Sequence, residues 1–162
     1  MTASLADLRA RIRERFSSGV PNGWALDWDR HRLESVVAIA AEPFECSNAT
    51  SFDYARCNTY EVRVPVDEDS WLTLTANISF VDDYYSMHWT RYEQGGRSGA
   101  VTEPMDESLV DLSARVGNSL VAQGFAELPA EWEAAPLPGV ELELSEDDDV
   151  TVGKCLFHDF DG

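Results

Sequence analysis

The stretch from Tyr60 to Tyr92 constrains the fold of this chain most strongly, because apolar and polar residues alternate along it. The alternation predicts three consecutive strands at Thr59–Val66, Trp71–Val81 and Tyr84–Glu93. In the middle strand the apolar residues fall at every second position: Leu72, Leu74, Ala76, Ile78 and Phe80. Short turns separate the strands, so they are predicted to form an antiparallel β-meander with one apolar face.

Two helices are predicted to cover that apolar face. Leu5–Phe16 carries its apolar residues at helical spacing, and so does the segment between Pro104 and Gly124. Asp106 is the expected N-cap of the second helix, and Gly124 is expected to end it. We therefore expect the helices Leu5–Phe16 and Asp106–Gln123 to pack their leucine stripes on the sheet. The residues expected to be among the most buried are Leu74, Ile78, Leu112 and Val116.

Three other regions have less regular patterns. Gly23–Asp29 alternates like a short strand. Arg30–Ala41 fits a helix capped at Asp29, although its apolar run fits a strand as well, and we favour the helix. Near the C-terminus, Val140–Leu144 and Val150–Phe157 are predicted to form a closing hairpin. Together these elements predict one α+β domain spanning residues 1–162, with a mostly antiparallel sheet built on a central β-meander and two or three helices packed on one face.

Charge is the strongest functional signal in the sequence. The chain has 12 Lys and Arg residues against 30 Asp and Glu residues, which gives a formal net charge of −18. Residues 103–162 hold 15 acids and two bases, whereas residues 1–102 hold 15 acids and 10 bases. This balance argues against binding the phosphates of nucleic acids or an anionic membrane surface. It fits either a basic protein partner attracted over long range or solubility alone.

The sequence contains no recognisable catalytic, cofactor or metal motif. It has no Gly-x-Ser-x-Gly elbow, and its histidines, His31, His88 and His158, share no ligand spacing. We therefore expect a protein that is not an enzyme and that binds no cofactor and no metal. Two alternatives stay open: a small enzyme whose site is assembled from scattered histidines and carboxylates, and a structural or scaffold domain.

The cysteines and the N-terminal segment bear on the cellular compartment. Cys46 and Cys57 could pair across a loop, but three scattered cysteines do not make a disulfide framework, and we favour reduced thiols. The N-terminal segment is amphipathic and lacks the apolar run of a secretory signal. A cytoplasmic location is therefore expected.

Two acidic turns are the candidate partner-binding elements. Asp82 and Asp83 precede two tyrosines at a predicted hairpin, and carboxylates beside rigid aromatics are typical of interfaces. A run of four acids forms a second turn, which is either a finger that enters a basic cleft or a solvated hairpin tip. The full set of candidate contact residues is Asp82, Asp83, Tyr84, Tyr85, Trp132, Glu146, Asp147, Asp148 and Asp149. Trp71 and Trp89 are expected instead to pack in the core or on the sheet.

The last part of the chain is similar to a known class of small proteins. Its sequence runs Leu-Pro-Ala-Glu-Trp from Leu128, Pro-Gly-Val-Glu-Leu-Glu from Pro138, and Cys-Leu-Phe-His-Asp-Phe-Asp from Cys155. These motifs, within residues 128–162, resemble the close of bacterial immunity proteins that are encoded beside polymorphic secreted toxins. The resemblance implies a cytosolic, non-enzymatic inhibitor that binds one cognate toxin, and it supplies no contact residues. Together with the acidity, it leads us to expect that such an inhibitor would block an active-site cleft that is basic.

Overall fold

The computed structural model describes residues 4–100 and 106–159, and its centre is a six-stranded sheet. The strands are β1 (Glu45–Asn48), β2 (Cys57–Pro65), β3 (Ser70–Ser79), β4 (Tyr84–Glu93), β5 (Arg97–Ala100) and β6 (Ala126–Glu127). The helices are α1 (Leu5–Arg15), α2 (Glu34–Ala41), α3 (Glu107–Ala122), α4 (Ala130–Glu133) and α5 (Val152–Leu156). Strands β1 to β5 lie side by side as antiparallel neighbours, and β6 pairs parallel with β4. The predicted α+β class and mostly antiparallel sheet are confirmed.

The predicted meander is confirmed as β2, β3 and β4. Its register places Leu74 of β3 opposite Val62 on one side and Trp89 on the other. The central strand is buried on both faces, however, because Thr73 and Asn77 are only 3% and 1% exposed. The alternation therefore predicted correctly which residues share a face, but it did not predict that most of the polar side chains of β3 are buried as well.

Helices α2 and α3 cover the apolar face of the sheet. Leu112 and Val116 of α3 are fully buried, and they belong to one core with Leu74 and Ile78 of β3. Val37 of α2 is buried in the same core. The predicted register of the meander and of the leucine stripe on α3 is confirmed.

Local sequence features set the ends of α3 and its distance from the sheet. The Asp106 carboxylate accepts a hydrogen bond from the backbone N–H of Leu109 at 3.2 Å, as expected of an N-cap. Gly124 follows the helix with φ of 97°, a backbone conformation that favours glycine. A Cβ added at Gly117 would lie 3.0 Å from the hydroxyl oxygen of Tyr85, so this glycine permits a close approach to β4. The predicted helix start at Pro104 lies outside the described residues.

Helix α1 packs elsewhere than predicted. Its buried residues Leu8 and Ile12 join a second core, formed with the C-terminal segment and one end of the sheet. The guanidinium of Arg9 donates to the carbonyl of Pro136 at 2.9 Å, and that of Arg13 donates to the carbonyl of Pro138 at 3.2 Å. Because these bonds hold α1 against the last third of the chain, the prediction that it packs beside α3 is wrong.

The predicted closing hairpin is also wrong. Residues 140–149 contain a bend at 143–145 and a turn at 147–149 but no strand, and α5 replaces the predicted last strand. Thr151 caps α5 by accepting from the backbone N–H of Lys154 at 3.2 Å. Val152, Cys155 and Leu156 occupy positions i, i+3 and i+4 and are fully buried. That spacing is a helical stripe, and its burial in the second core favours a helix over a strand.

The predicted strand at Gly23–Asp29 is wrong because Asn22 turns the chain. Its side-chain oxygen accepts from the backbone N–H of Trp24 at 2.8 Å, and residues 23–27 form consecutive turns. The favoured helix after this segment is confirmed as α2, but it begins later than predicted. Asp29 accepts from the backbone N–H of His31 at 2.8 Å in a turn, so it does not cap the helix.

Buried polar groups tie the C-terminal segment to the rest of the fold. Arg56 is only 1% exposed, and its guanidinium donates to the carbonyls of Lys154 and Cys155. These carbonyls lie at the C-terminal end of α5, where the helix dipole is negative. Asp159 is buried as well and accepts from the hydroxyl of Ser145 at 2.6 Å. The position of residues 145–159 is therefore set by polar contacts as well as by apolar packing.

The cysteines are all free, as favoured from the sequence. Burial raises the pKa of Cys57 and of Cys155 to about 12, so both are inert thiols at neutral pH. Among residues 4–100 and 106–159, no helix has both the length and the apolar character needed to cross a membrane.

Candidate partner-binding surface

Four of the eleven arginines of this chain form hydrogen bonds with the backbone. Among the described residues, the guanidinium groups of Arg9, Arg13, Arg56 and Arg115 donate to main-chain carbonyl oxygens. The pairs between arginine and carboxylate are Arg11 with Asp82, Arg91 with Glu93, and Arg115 with Asp111. Most carboxylates in the described part of the chain are therefore not neutralised by an arginine, and the surface keeps its negative charge.

The two predicted acids at the β3–β4 turn have different roles. Asp82 accepts from Nε of Arg11 at 2.7 Å, so its carboxylate fixes α1 to the turn. Asp82 also accepts from the backbone N–H of Asp83 at 2.9 Å. The carboxylate of Asp83 is exposed and remains available to a partner.

Tyr84 and Tyr85 are core residues, which removes them as partner contacts. They are 9% and 3% exposed. Since consecutive strand residues point to opposite faces, each tyrosine enters a different core. Tyr84 lies in the second core with Leu8 of α1, and Tyr85 lies against Gly117 of α3.

The remaining predicted residues lie on the C-terminal segment. Trp132 of α4 is partly buried against the second core. The four acids from Glu146 to Asp149 are exposed in a turn, which is closed by a 2.9 Å bond between the Asp149 N–H and the Glu146 carbonyl. This turn joins no pair of strands, so the predicted hairpin tip is wrong. One carboxylate oxygen each from Glu146, Asp148 and Asp149 lie within 4.8 Å of one another, which concentrates negative charge there.

One end of the sheet presents side chains that no described helix covers. This end lies on the face of the sheet opposite α2 and α3. The opposite end of that face, marked by Cys57 and Tyr84, is closed by the second core. We call the end without a covering helix the uncovered face, and its residues are Glu45, Ser47, Glu61, Arg63, Trp71, Thr73 and Tyr92. These residues come from β1, β2, β3 and β4 and line a groove of about 360 Å³. The meander itself positions them, because they occupy alternate positions on adjacent strands.

An aromatic row crosses the uncovered face. The rings of Trp71 and Tyr92, which are cross-strand neighbours, stack with centroids 5.6 Å apart and an interplanar angle of 13°. The guanidinium carbon of Arg63 lies 4.1 Å from the Trp71 ring centroid, which is a close cation–π contact. Both rings are partly exposed, so a partner that covers them would bury further apolar area.

The end of the sheet beside this face is acidic. A second cavity of about 510 Å³ is lined by Asp67, Glu68, Asp69, Ser70, Arg91, Glu93 and Gln94. The Asp67 carboxylate accepts from the backbone N–H of Asp69 at 2.8 Å. That bond, followed by one to Ser70, lowers the pKa of Asp67 and keeps it ionised. Carboxylates therefore border the aromatic row.

Sequence reasoning missed the uncovered face, although the alternation contained a signal for it. Trp71 and Tyr92 occupy positions that the period of two assigns to the polar side of their strands. An aromatic residue at such a position either meets a second covering layer or stays available to a partner. Trp89, on the other side of β4, donates to the hydroxyl of Ser113 on α3 at 3.0 Å and packs against the core, as expected.

The histidines provide the geometry most relevant to the enzyme alternative. His31 precedes α2, and its Nδ1 lies 2.7 Å from the Glu34 carboxylate and 3.1 Å from the side-chain amide of Asn48 on β1. Desolvation lowers the pKa of His88, although this residue is exposed, and the nearby Glu61 opposes that shift. Burial lowers the pKa of His158 to about 4, and the positive charge of His88 adds to the effect. The sheet places Glu61 and His88 on one face with Thr75 of β3 between them, and His158 follows α5. Neither His88 nor His158 lines the described groove.

No family model, curated protein or solved structure matches this chain.

Proposed function

We propose that this chain is an acidic binding protein of the immunity type, which neutralises a basic cognate toxin by covering the toxin's active-site cleft. The observation that carries the proposal is that, within residues 4–100 and 106–159, most carboxylates form no ion pair with an arginine. Four arginines donate to main-chain carbonyls. The chain keeps a net charge of −18 that a basic partner would complement.

The distribution of acid supports a blocking role over a purely solubilising one. The turn from Glu146 to Asp149 projects four acids from the acidic region of residues 103–162, and Asp83 adds an exposed carboxylate at the β3–β4 turn. A turn whose backbone is already ordered loses little conformational entropy when it enters a cleft. Carboxylates placed in this way can occupy positions that substrate phosphates would take in a nucleotide- or nucleic-acid-binding enzyme.

The test is association kinetics with the product of the neighbouring reading frame at low and high salt. Changing Glu146, Asp147, Asp148 and Asp149 to Ser is expected to slow association by about tenfold at low salt, because charge steering acts on the encounter rate. The melting temperature should stay nearly constant, since all four residues are exposed.

A control that conserves charge separates the effect of the electrostatic field from the effect of side-chain shape. The variant with Asp147, Asp148 and Asp149 changed to Glu keeps the net charge, so its association rate should match that of the unchanged chain. An association rate that is indifferent to both salt and the four Ser substitutions would show that the acidity serves solubility and that the proposal is wrong.

One observation favours the enzyme alternative. His88 and His158 lie close enough for the charge of one to affect the other, and Glu61 lies near His88. Under the binding proposal, replacing His31, His88 and His158 together leaves toxin neutralisation largely intact. Loss of activity in such a variant, with unchanged thermal stability, would support an enzyme instead.

A further inference from the structure

We infer that the uncovered face is the docking surface for the basic partner, and that its groove takes an arginine or lysine side chain. This inference rests on the proposed function for the identity of the partner, but the groove itself can be tested without the partner. It replaces the buried tyrosines of the β3–β4 turn with Trp71 and Tyr92 as the aromatic anchors.

The first step is the exposure of the aromatic row. Trp71 and Tyr92 stack at 5.6 Å in a part of the sheet that the helices of the described residues leave open. Rigid aromatic side chains at the centre of a surface that becomes desolvated contribute most of the binding energy of many interfaces. Their rotamers are already restricted by the stack, so docking orders little more.

The second step is the charge of the groove. Glu45 stands directly opposite Arg63 in the β1–β2 register, and Glu61 lies two residues before Arg63 on β2. Neither carboxylate forms an ion pair with Arg63 within 4.0 Å in the described residues, because the guanidinium lies over Trp71. A cation entering the groove therefore meets two carboxylates, and it reaches the Trp71 ring by displacing the Arg63 guanidinium.

The third step identifies the occupant. A second copy of this chain would bring another net charge of −18 to the same surface, so self-association there is opposed by repulsion. Anionic lipids and nucleic acids are opposed for the same reason. The cavity that borders the face holds Asp67, Glu68, Asp69 and Glu93. A basic protein is the partner whose charge complements both the groove and its border.

Arg63 is expected to oppose the binding of a cation, although it lies in the groove. Its guanidinium occupies the Trp71 ring face at 4.1 Å, where an incoming cation would gain a similar contact. Arg63 therefore competes with the ligand and repels it. Removing this arginine should tighten the binding of a cationic side chain, whereas removing Glu61 or Trp71 should weaken it.

The first experiment uses N-acetyl-arginine amide as the probe and N-acetyl-citrulline amide as its neutral isostere. The indole N–H signals of the five tryptophans are followed by NMR, and the Trp71 signal is assigned from its loss in Trp71→Leu. The arginine probe is expected to shift the Trp71 signal and to bind about two- to fivefold more tightly than citrulline, which is the gain of an exposed cation–π contact.

Variants then test the groove residue by residue. Arg63→Gln should bind the arginine probe more tightly, and Glu61→Gln should bind it more weakly. Arg15→Gln is the matched control, because it removes the same charge from an exposed position on α1. If citrulline binds as well as arginine, or if Arg63→Gln weakens binding, the groove is not a cation site.

The partner measurement distinguishes the docking surface from the function. The double variant Trp71→Leu and Tyr92→Leu should dissociate from the partner at least about tenfold faster, because anchor residues act mainly on dissociation. Unchanged dissociation together with salt-dependent association would overturn the docking surface and leave the proposed function standing. Salt-independent association combined with specific arginine binding would contradict the proposed function and leave the groove as a cation site.

Discussion

The two faces of the central sheet are built from the same strands, but they are covered in different ways. On one face, α2 and α3 provide a continuous apolar layer in which Leu74 and Leu112 are almost fully buried. On the other face, the second core covers only one end, and the groove with the Trp71–Tyr92 stack occupies the other. A period of two determines which side chains share a face, whereas docking of distant segments determines what covers that face.

The largest expected effect is on the helix-covered face. Leu112→Ala should lower the free energy of unfolding by about 2–5 kcal/mol, because a fully buried leucine is replaced by a cavity. Val110→Ala, two residues earlier on α3, is the control. Its side chain is 57% exposed, so the cost should stay below about 0.5 kcal/mol. Chemical unfolding of both variants measures the difference, and similar costs would mean that α3 presents another stripe to the sheet.

The second effect tests how the opposite face is closed by the C-terminal segment. Arg56→Met should lower the free energy of unfolding by about 1–3 kcal/mol, because the carbonyls of Lys154 and Cys155 lose a buried donor. Arg15→Met removes an exposed arginine and should be nearly neutral. An Arg56 variant as stable as the unchanged chain would show that apolar packing alone holds α5.

The third effect is a pH dependence at the end of the same face. The pKa of His158 is lowered from 6.5 to about 4, so the folded state holds this ring neutral. Above pH 6.5 the ring is neutral in both states, and its contribution to the free energy of unfolding is complete. As the pH falls towards 4, that contribution is lost, because the unfolded state gains the proton first. The slope from this group is at most about 1.4 kcal/mol per pH unit. Thermal unfolding of His158→Gln across this range should show a flatter profile than the unchanged chain; parallel profiles would exclude the histidine as the cause.

The smallest effect is expected on the uncovered face. Tyr92→Ala should cost less than about 1 kcal/mol, because its ring is partly exposed and covered by no described helix. A urea denaturation curve gives the value. A cost as large as that of Leu112→Ala would mean that this face belongs to the core. The two faces of the sheet would then not differ in the way proposed.

The sequence was sufficient for elements whose pattern is local and repeated. The meander, the stripe of α3 and its Asp106 cap all follow from spacing and capping chemistry over short stretches. The same logic failed at Val150–Phe157, where alternation and helical spacing coincide and burial of the helical stripe decided the outcome. It also failed at Gly23–Asp29, where one asparagine side chain replaced the strand with a turn.

The candidate site was harder to predict than the fold. Tyr84 and Tyr85 have the residue types of an interface, but burial depends on α1 and α3, which approach from distant parts of the chain. Trp71 and Tyr92 lie 21 residues apart in sequence and stack only because the β3–β4 register pairs them. Neither fact can be derived from the local pattern, whereas the acidity of the 146–149 turn could be read directly.

The attachment of α1 to the end of the chain sets an order for folding during synthesis. The carbonyl acceptors of Arg9 and Arg13 lie 127 and 125 residues further along the chain. At a ribosomal rate of about 5–20 residues per second, these carbonyl acceptors are synthesised roughly 6–25 s after α1. The strands of the meander are synthesised earlier and are already available to pair. A nascent chain halted before residue 136 would hold the meander and α1 without the Pro136 and Pro138 carbonyls, so the helix would keep only contacts such as the Arg11–Asp82 pair.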